Sequence, residues 1–107
     1  MAEQARGGRP ERKTPAELVA GWPDEVAVDP VVETARRLAL NLRGALTGTS
    51  VRDAARAAEV NYTTVYAILN GTTWPDLMTL ARLEAGLDAD LWPVGVARAQ
   101  ASASPTE

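Results

Sequence analysis

Cysteine, histidine and phenylalanine are absent from this chain. Without cysteine there is no disulfide and no thiol nucleophile, and without either Cys or His the usual zinc sites are excluded. Ser-His-Asp and Cys-His catalysis are excluded with them. Lysine occurs once, at Lys13, so ten arginines carry the rest of the positive charge. Aromatic bulk is limited to three Trp and two Tyr. A core must then be built mostly from Leu, Val and Ala, which suits short helices packed closely. No apolar run approaches the roughly 20 residues that span a bilayer. The opening MAEQARGGRPERK lacks the apolar stretch of a secretory signal. Together with the absence of Cys, this sets the expectation of a cytoplasmic protein.

What is present fits one domain with tails: 107 residues, 46% of them hydrophobic, with a net charge of −3. Residues 1–28 read as a basic arm and connector. Gly7, Gly8 and Pro10 interrupt any helix in residues 1–13, where four basic residues face two acidic ones. One short helix is expected at 15–20, with Thr14 as N-cap, Pro15 at the first position and Glu17 closing a capping box.

The domain proper spans 29–93 and opens on Asp29 as N-cap and Pro30 as first helical residue. Val31, Ala35, Leu38, Leu42 and Leu46 then form one stripe of an amphipathic helix, with Arg36, Arg37 and Arg43 off it on a solvated face. Gly48 stops this helix. Ser50 caps the next helix, with Asp53 completing a box, and Asn61 caps a third that ends at Asn70-Gly71. Asp76 caps a fourth, with Leu77, Leu80, Ala81 and Glu84 along it and Gly86 as its C-terminal cap. Asp88 opens a last short turn over 89–92. Residues 94–107 are small and polar and read as a disordered tail.

The segment Ser50–Gly71, SVRDAARAAEVNYTTVYAILNG, carries the functional signal. Two short helices joined by about three residues pack only if their contact residues are small, and Ala54, Ala55 and Ala58 are. Val60, Val65 and Ile68 face inward. Tyr62, Thr63, Tyr66, Ala67 and Asn70 share the opposite face. Amide, hydroxyl and phenol groups on one outer face suit the reading of base edges.

On the spacing of Ala55, Val60, Val65 and Ile68, and on the ending Ala67-Ile68-Leu69-Asn70-Gly71, the chain resembles the lambda-repressor/Cro-like (XRE-type) helix-turn-helix family over roughly residues 30–93. The resemblance implies an all-α, compact five-helix bundle. Its first motif helix would cross the backbone of double-stranded DNA and its second would enter the major groove. Tyr62, Thr63, Tyr66 and Ala67 would then face bases. Ser50, Arg52, Asn61, Asn70, Thr72 and Thr73 would face phosphates. The chain departs from the family pattern at Glu59, where the turn favours Gly, and at Val51, where the family often has a DNA-contacting Gln. A left-handed Glu59 would cost about 1 kcal/mol relative to Gly. In the arm, RGGRP resembles a minor-groove hook, with two glycines between Arg6 and Arg9 where a hook has one.

The expected function is sequence-specific regulation of transcription, as a repressor of phage, prophage or mobile-element type. The expected assembly is a homodimer through Leu87, Leu91, Trp92, Val94 and Val96. The alternative is an antitoxin-like or adaptor module that keeps the fold without specific DNA binding. It is motivated by six arginines against eight acidic residues in 29–93. Asp29, Asp53, Asp76 and Asp88 all stand at or near helix starts, where capping accounts for them. No nucleophile–base pair, cofactor site, metal cluster or small-molecule site is evident, so an enzyme is not expected.

Overall fold

The computed structural model describes residues 12–103, and within them every regular element is helical. A single 3-10 turn, Pro15–Leu18, precedes α1 (Pro30–Ala45), α2 (Val51–Ala58), α3 (Tyr62–Asn70), α4 (Leu77–Leu87) and α5 (Val96–Ala103). The all-α bundle that the resemblance implies is present. α2 packs on α4 and on α3, while α1 packs on α3 and α5.

Local chemistry explains the helix starts. The Asp29 carboxylate accepts from the Val31 N–H at 2.7 Å, Asn61 Oδ1 from Thr63 at 2.9 Å, and Asp76 from Thr79 at 2.7 Å. Ser50 Oγ accepts from the Asp53 N–H at 3.0 Å. Only that half of the expected box forms, because the Asp53 carboxylate turns to Arg56 at 2.7 Å. In the 3-10 turn Glu17 reaches back to the Thr14 N–H at 2.7 Å.

The main core joins Leu38 and Leu42 of α1, Ala55 and Ala58 of α2, Val65 and Ile68 of α3, Leu80 and Leu83 of α4, and Leu91. The α1 stripe is rotated from its expected position. Val31 is 62% exposed, while Val32, Ala35, Leu38, Ala39 and Leu42 are buried. The reason is that α1 packs on two sides. Its second side meets the connector, where Val19, Ala27 and Val32 form a smaller core flanked by Trp22 and Trp74. In α4 the buried positions are Leu80 and Leu83, whereas Leu77 is exposed and Ala81 faces solvent.

Arg36 is not on a solvated face. It is 5% exposed and forms a two-pronged pair with Glu33, Nε to Oε1 and Nη2 to Oε2, both 2.8 Å. Its third prong donates to the Pro23 carbonyl at 2.9 Å, and Glu33 also accepts from the Ala27 N–H at 2.9 Å. The pair therefore ties the connector to α1. The Arg36 hydrogen bond holds the Glu33 carboxyl below its ordinary range, against the opposing pull of burial.

The C-terminal part also departs from expectation. Residues 89–92 are not helical; the fifth helix begins at Val96, inside the expected tail. Glu84 holds the intervening turn by accepting from the Leu91 and Trp92 N–H groups at 2.8 and 3.0 Å. Asn41 donates to the Leu91 carbonyl at 2.8 Å. α5 returns across α1, and Gln100 donates to the Ala27 carbonyl. Gly86 lies inside α4 and the cap falls to Asp88, at φ 52°. The glycine is there for space: a Cβ would stand 2.6 Å from the Cα of Ala58.

Candidate nucleic-acid interface

α2 and α3 are joined by Glu59, Val60 and Asn61. Glu59 takes the left-handed conformation, φ 59° and ψ 42°. The turn closes by hydrogen bonds from Glu59 N–H to Arg56 at 3.2 Å and Val60 N–H to Ala55 at 3.0 Å. So the turn is regular although the residue at its left-handed position is not glycine. Ala54, Ala55 and Ala58 are buried beneath it, and Val65 and Ile68 bury the inner face of α3.

The outer face of α3 is exposed at Tyr62, Thr63, Tyr66 and Asn70, with Ala67 half-buried among them. Tyr62 and Tyr66 meet edge to face, their ring centres 6.3 Å apart. The Arg52 guanidinium lies over the Tyr62 ring, Cζ 3.9 Å from its centre. Thr63 Oγ1 donates to Asn61 Oδ1 at 2.7 Å. That carboxamide oxygen is thus occupied by the cap, while its NH2 group takes no partner among the described residues. Ser50, Arg52 and Asn61 stand exposed at the entry to the two helices, and Asn70 and Thr72 at the exit of α3, with Thr73 half-buried beside them. α3 carries no charged residue. Arg56 is paired with Asp53, and Arg43 lies 3.9 Å from Asp24. Arg6 and Arg9 lie outside the described residues.

The exit of α3 is held by residues of the connector that precedes α1. Gly71 takes φ 71°, and its N–H closes the helix on the carbonyls of Ala67 and Ile68. The Thr72 N–H also bonds Ala67 at 2.9 Å. Trp22 Nε1 donates to the Leu69 carbonyl at 3.0 Å, and the Ala16 N–H to the Gly71 carbonyl at 2.8 Å. A Cβ on Gly71 would stand 2.6 Å from the Trp22 ring and 2.9 Å from the Ala16 methyl. Trp74 Nε1 donates to the Lys13 carbonyl at 2.8 Å. Trp74, the residue after Thr73, thus ties the Lys13 backbone to the loop that follows α3. The available signal was the pairing of two tryptophans with a glycine. Neither periodicity nor a capping motif reveals it, because the contact spans 47 residues.

Among the described residues, no acidic cluster could hold a metal ion and no helix is long and apolar enough to cross a membrane. Comparison with protein-family models, curated proteins and solved structures returned no match.

Proposed function

We propose that this chain is a sequence-specific DNA-binding regulator of the lambda-repressor/Cro-like type, reading the major groove with α3. The observation that carries the reading is the α2–turn–α3 unit. Its inner residues are small or aliphatic and buried, and its outer face presents Tyr62, Thr63 and Tyr66 together. Because α3 is uncharged, phosphate attraction falls to its flanks: Arg52, Lys13, and the hydrogen-bonding groups of Ser50, Asn61, Asn70, Thr72 and Thr73. In this reading the protein is a cytoplasmic, non-enzymatic repressor of phage, prophage or mobile-element type.

The test is selection of bound fragments from a random duplex library, repeated at two salt concentrations. An enriched motif bound roughly 10³-fold or more above bulk DNA is expected. Tyr62→Ala with Thr63→Ala should abolish that preference while the helical circular dichroism is retained. Unchanged specific affinity in this variant would remove α3 from the groove.

A second reading, a protein-interaction module, is favoured by one feature. An apolar groove of about 430 Å³ lies between α1, α4 and Trp92, with Val31, Leu77 and Trp92 62%, 80% and 49% exposed on its walls. The same groove bears on the proposed homodimer. Leu91 is buried in the monomer's own core and cannot serve an interface, which leaves Trp92 and Val94 of the expected set exposed. Sedimentation showing a single species near 11.4 kDa at high concentration would exclude the dimer. A selection returning no motif would leave the module reading in place of DNA recognition.

A further inference from the structure

Arg52 differs from the other arginine of the helix-turn-helix. Arg56 spends its charge on Asp53 at 2.7 Å. Arg52 takes no carboxylate and no hydrogen bond among the described residues; its guanidinium instead lies over the face of Tyr62, at 3.9 Å. Stacking uses the flat face of a guanidinium. Its five N–H donors lie in the plane, at the rim, and remain available. A phosphate contact needs only a mobile charge. An arginine of α2 whose guanidinium carbon sits 3.9 Å above the ring centre of the first residue of α3 is instead a fork held in one place, beside a helix whose own outer face offers only hydroxyl, phenol, methyl and one carboxamide group. A fixed fork of two parallel donors matches the O6 and N7 acceptors of guanine in the major groove.

From this geometry, and resting on the DNA-binding reading above, we infer that Arg52 is a specificity-determining residue that reads a guanine, with Tyr62 as the platform that orients it. Arg52 then contacts a base rather than the DNA backbone. Tyr62 holds the residue that reads the base rather than reading one through its own hydroxyl.

The experiment is the same library selection, run in parallel on the full chain and on Arg52→Lys, Tyr62→Phe and Tyr62→Leu. Thermal melts would check that each exposed-site variant folds. The wild-type motif should contain a guanine preferred by about 5- to 150-fold, the discrimination one two-pronged contact supplies. Arg52→Lys keeps the charge and loses the fork, so that one position should flatten while the others persist. Tyr62→Leu should flatten the same position, and Tyr62→Phe, which keeps the ring face, should preserve it. A guanine preference that survives Arg52→Lys overturns the inference. So does an equal weakening at every position, which marks a phosphate contact, and so does a loss of the preference in Tyr62→Phe, which marks reading by the hydroxyl. In these cases the wild-type motif still stands and the DNA-binding reading with it. Absence of any motif for the wild type removes both.

Discussion

Alanine in place of glycine should have opposite effects at two helical positions of this protein, and the sign at each follows from what surrounds it. Inside a helix the exchange is worth about 1 kcal/mol in favour of alanine, because glycine loses more backbone freedom on folding. Gly44, in the last turn of α1, has nothing within 4 Å of the position a Cβ would take. Only the backbone effect operates there, reduced near the helix end, so Gly44→Ala should stabilise by about 0.5 kcal/mol. Gly86, in α4, has the Ala58 Cα at 2.6 Å, the Ala57 carbonyl oxygen at 2.7 Å and the Ala58 nitrogen at 2.7 Å from its Cβ position. All three are backbone atoms of the end of α2, which cannot rotate away as a side chain would. Overpacking of this kind costs about 1–3 kcal/mol or more, and here the backbone must move to relieve it. The clash outweighs the propensity gain, so Gly86→Ala should destabilise by about 1–2 kcal/mol net. For a domain of this size 1 kcal/mol moves the melting temperature by about 4–8 °C. Urea melts of the two variants measure both signs in one experiment. A Gly86→Ala protein at least as stable as wild type would refute the close approach of α4 to α2, and with it the reason for glycine at this place.

Glu59→Gly should stabilise by about 1 kcal/mol, because φ 59° is strained for glutamate and free for glycine; an unchanged urea midpoint would show that the turn carries no strain. Stability should fall as pH drops below the ordinary glutamate value of 4.5, since hydrogen bonds from Arg36 lower Glu33 and those from Trp92 and Leu91 lower Glu84. A carboxyl whose folded pKa lies below its unfolded value stabilises fully above the latter and loses that contribution as pH falls through the former. Glu33→Gln should lower stability by about 3 kcal/mol at pH 7 by leaving Arg36 buried without its counter-charge, and should flatten the acid limb of the pH–stability curve. A curve with the same acid limb in this variant would put the acid sensitivity elsewhere. Trp22→Phe keeps the ring and removes its bond to the Leu69 carbonyl, for a loss of about 1 kcal/mol and faster amide exchange at the exit of α3; unaltered exchange there would deny Trp22 its capping role.

What could be read from the sequence was what depends on neighbours in the chain. Asp29, Ser50, Asn61 and Asp76 cap because a short oxygen-bearing side chain reaches an N–H two or three residues on, and that reach needs no tertiary context. The α2–α3 turn was legible from the small residues that let its helices meet, and the left-handed place of Glu59 only through the segment's resemblance to a helix-turn-helix family. Features that depend on which surfaces meet were not legible. Arg36 looks like any solvated arginine until Glu33, Pro23 and Ala27 surround it. Gly86 reads as a helix end until Ala58 is found against it. Residues 96–103 have weak patterning because α5 lies across α1 with small residues, so no strong apolar stripe marks them.

The connector changes how the candidate interface is to be understood. α3 is only nine residues long, and a helix of that length is marginal by itself. Its entry is fixed by Asn61 and its inner face by Val65 and Ile68. Its exit is fixed by Ala16 and Trp22, and the residue after Trp22, Pro23, accepts a hydrogen bond from Arg36 of the buried Glu33–Arg36 pair in α1. A perturbation of that buried pair therefore has a path to the exposed face of α3 through packed atoms, with no residue of the face itself altered. The net negative charge of the chain fits the same design. On the proposed DNA-binding reading, an uncharged helix held at both ends would discriminate by the placement of hydroxyls, methyls and one guanidinium, and would depend less on phosphate attraction than a basic helix.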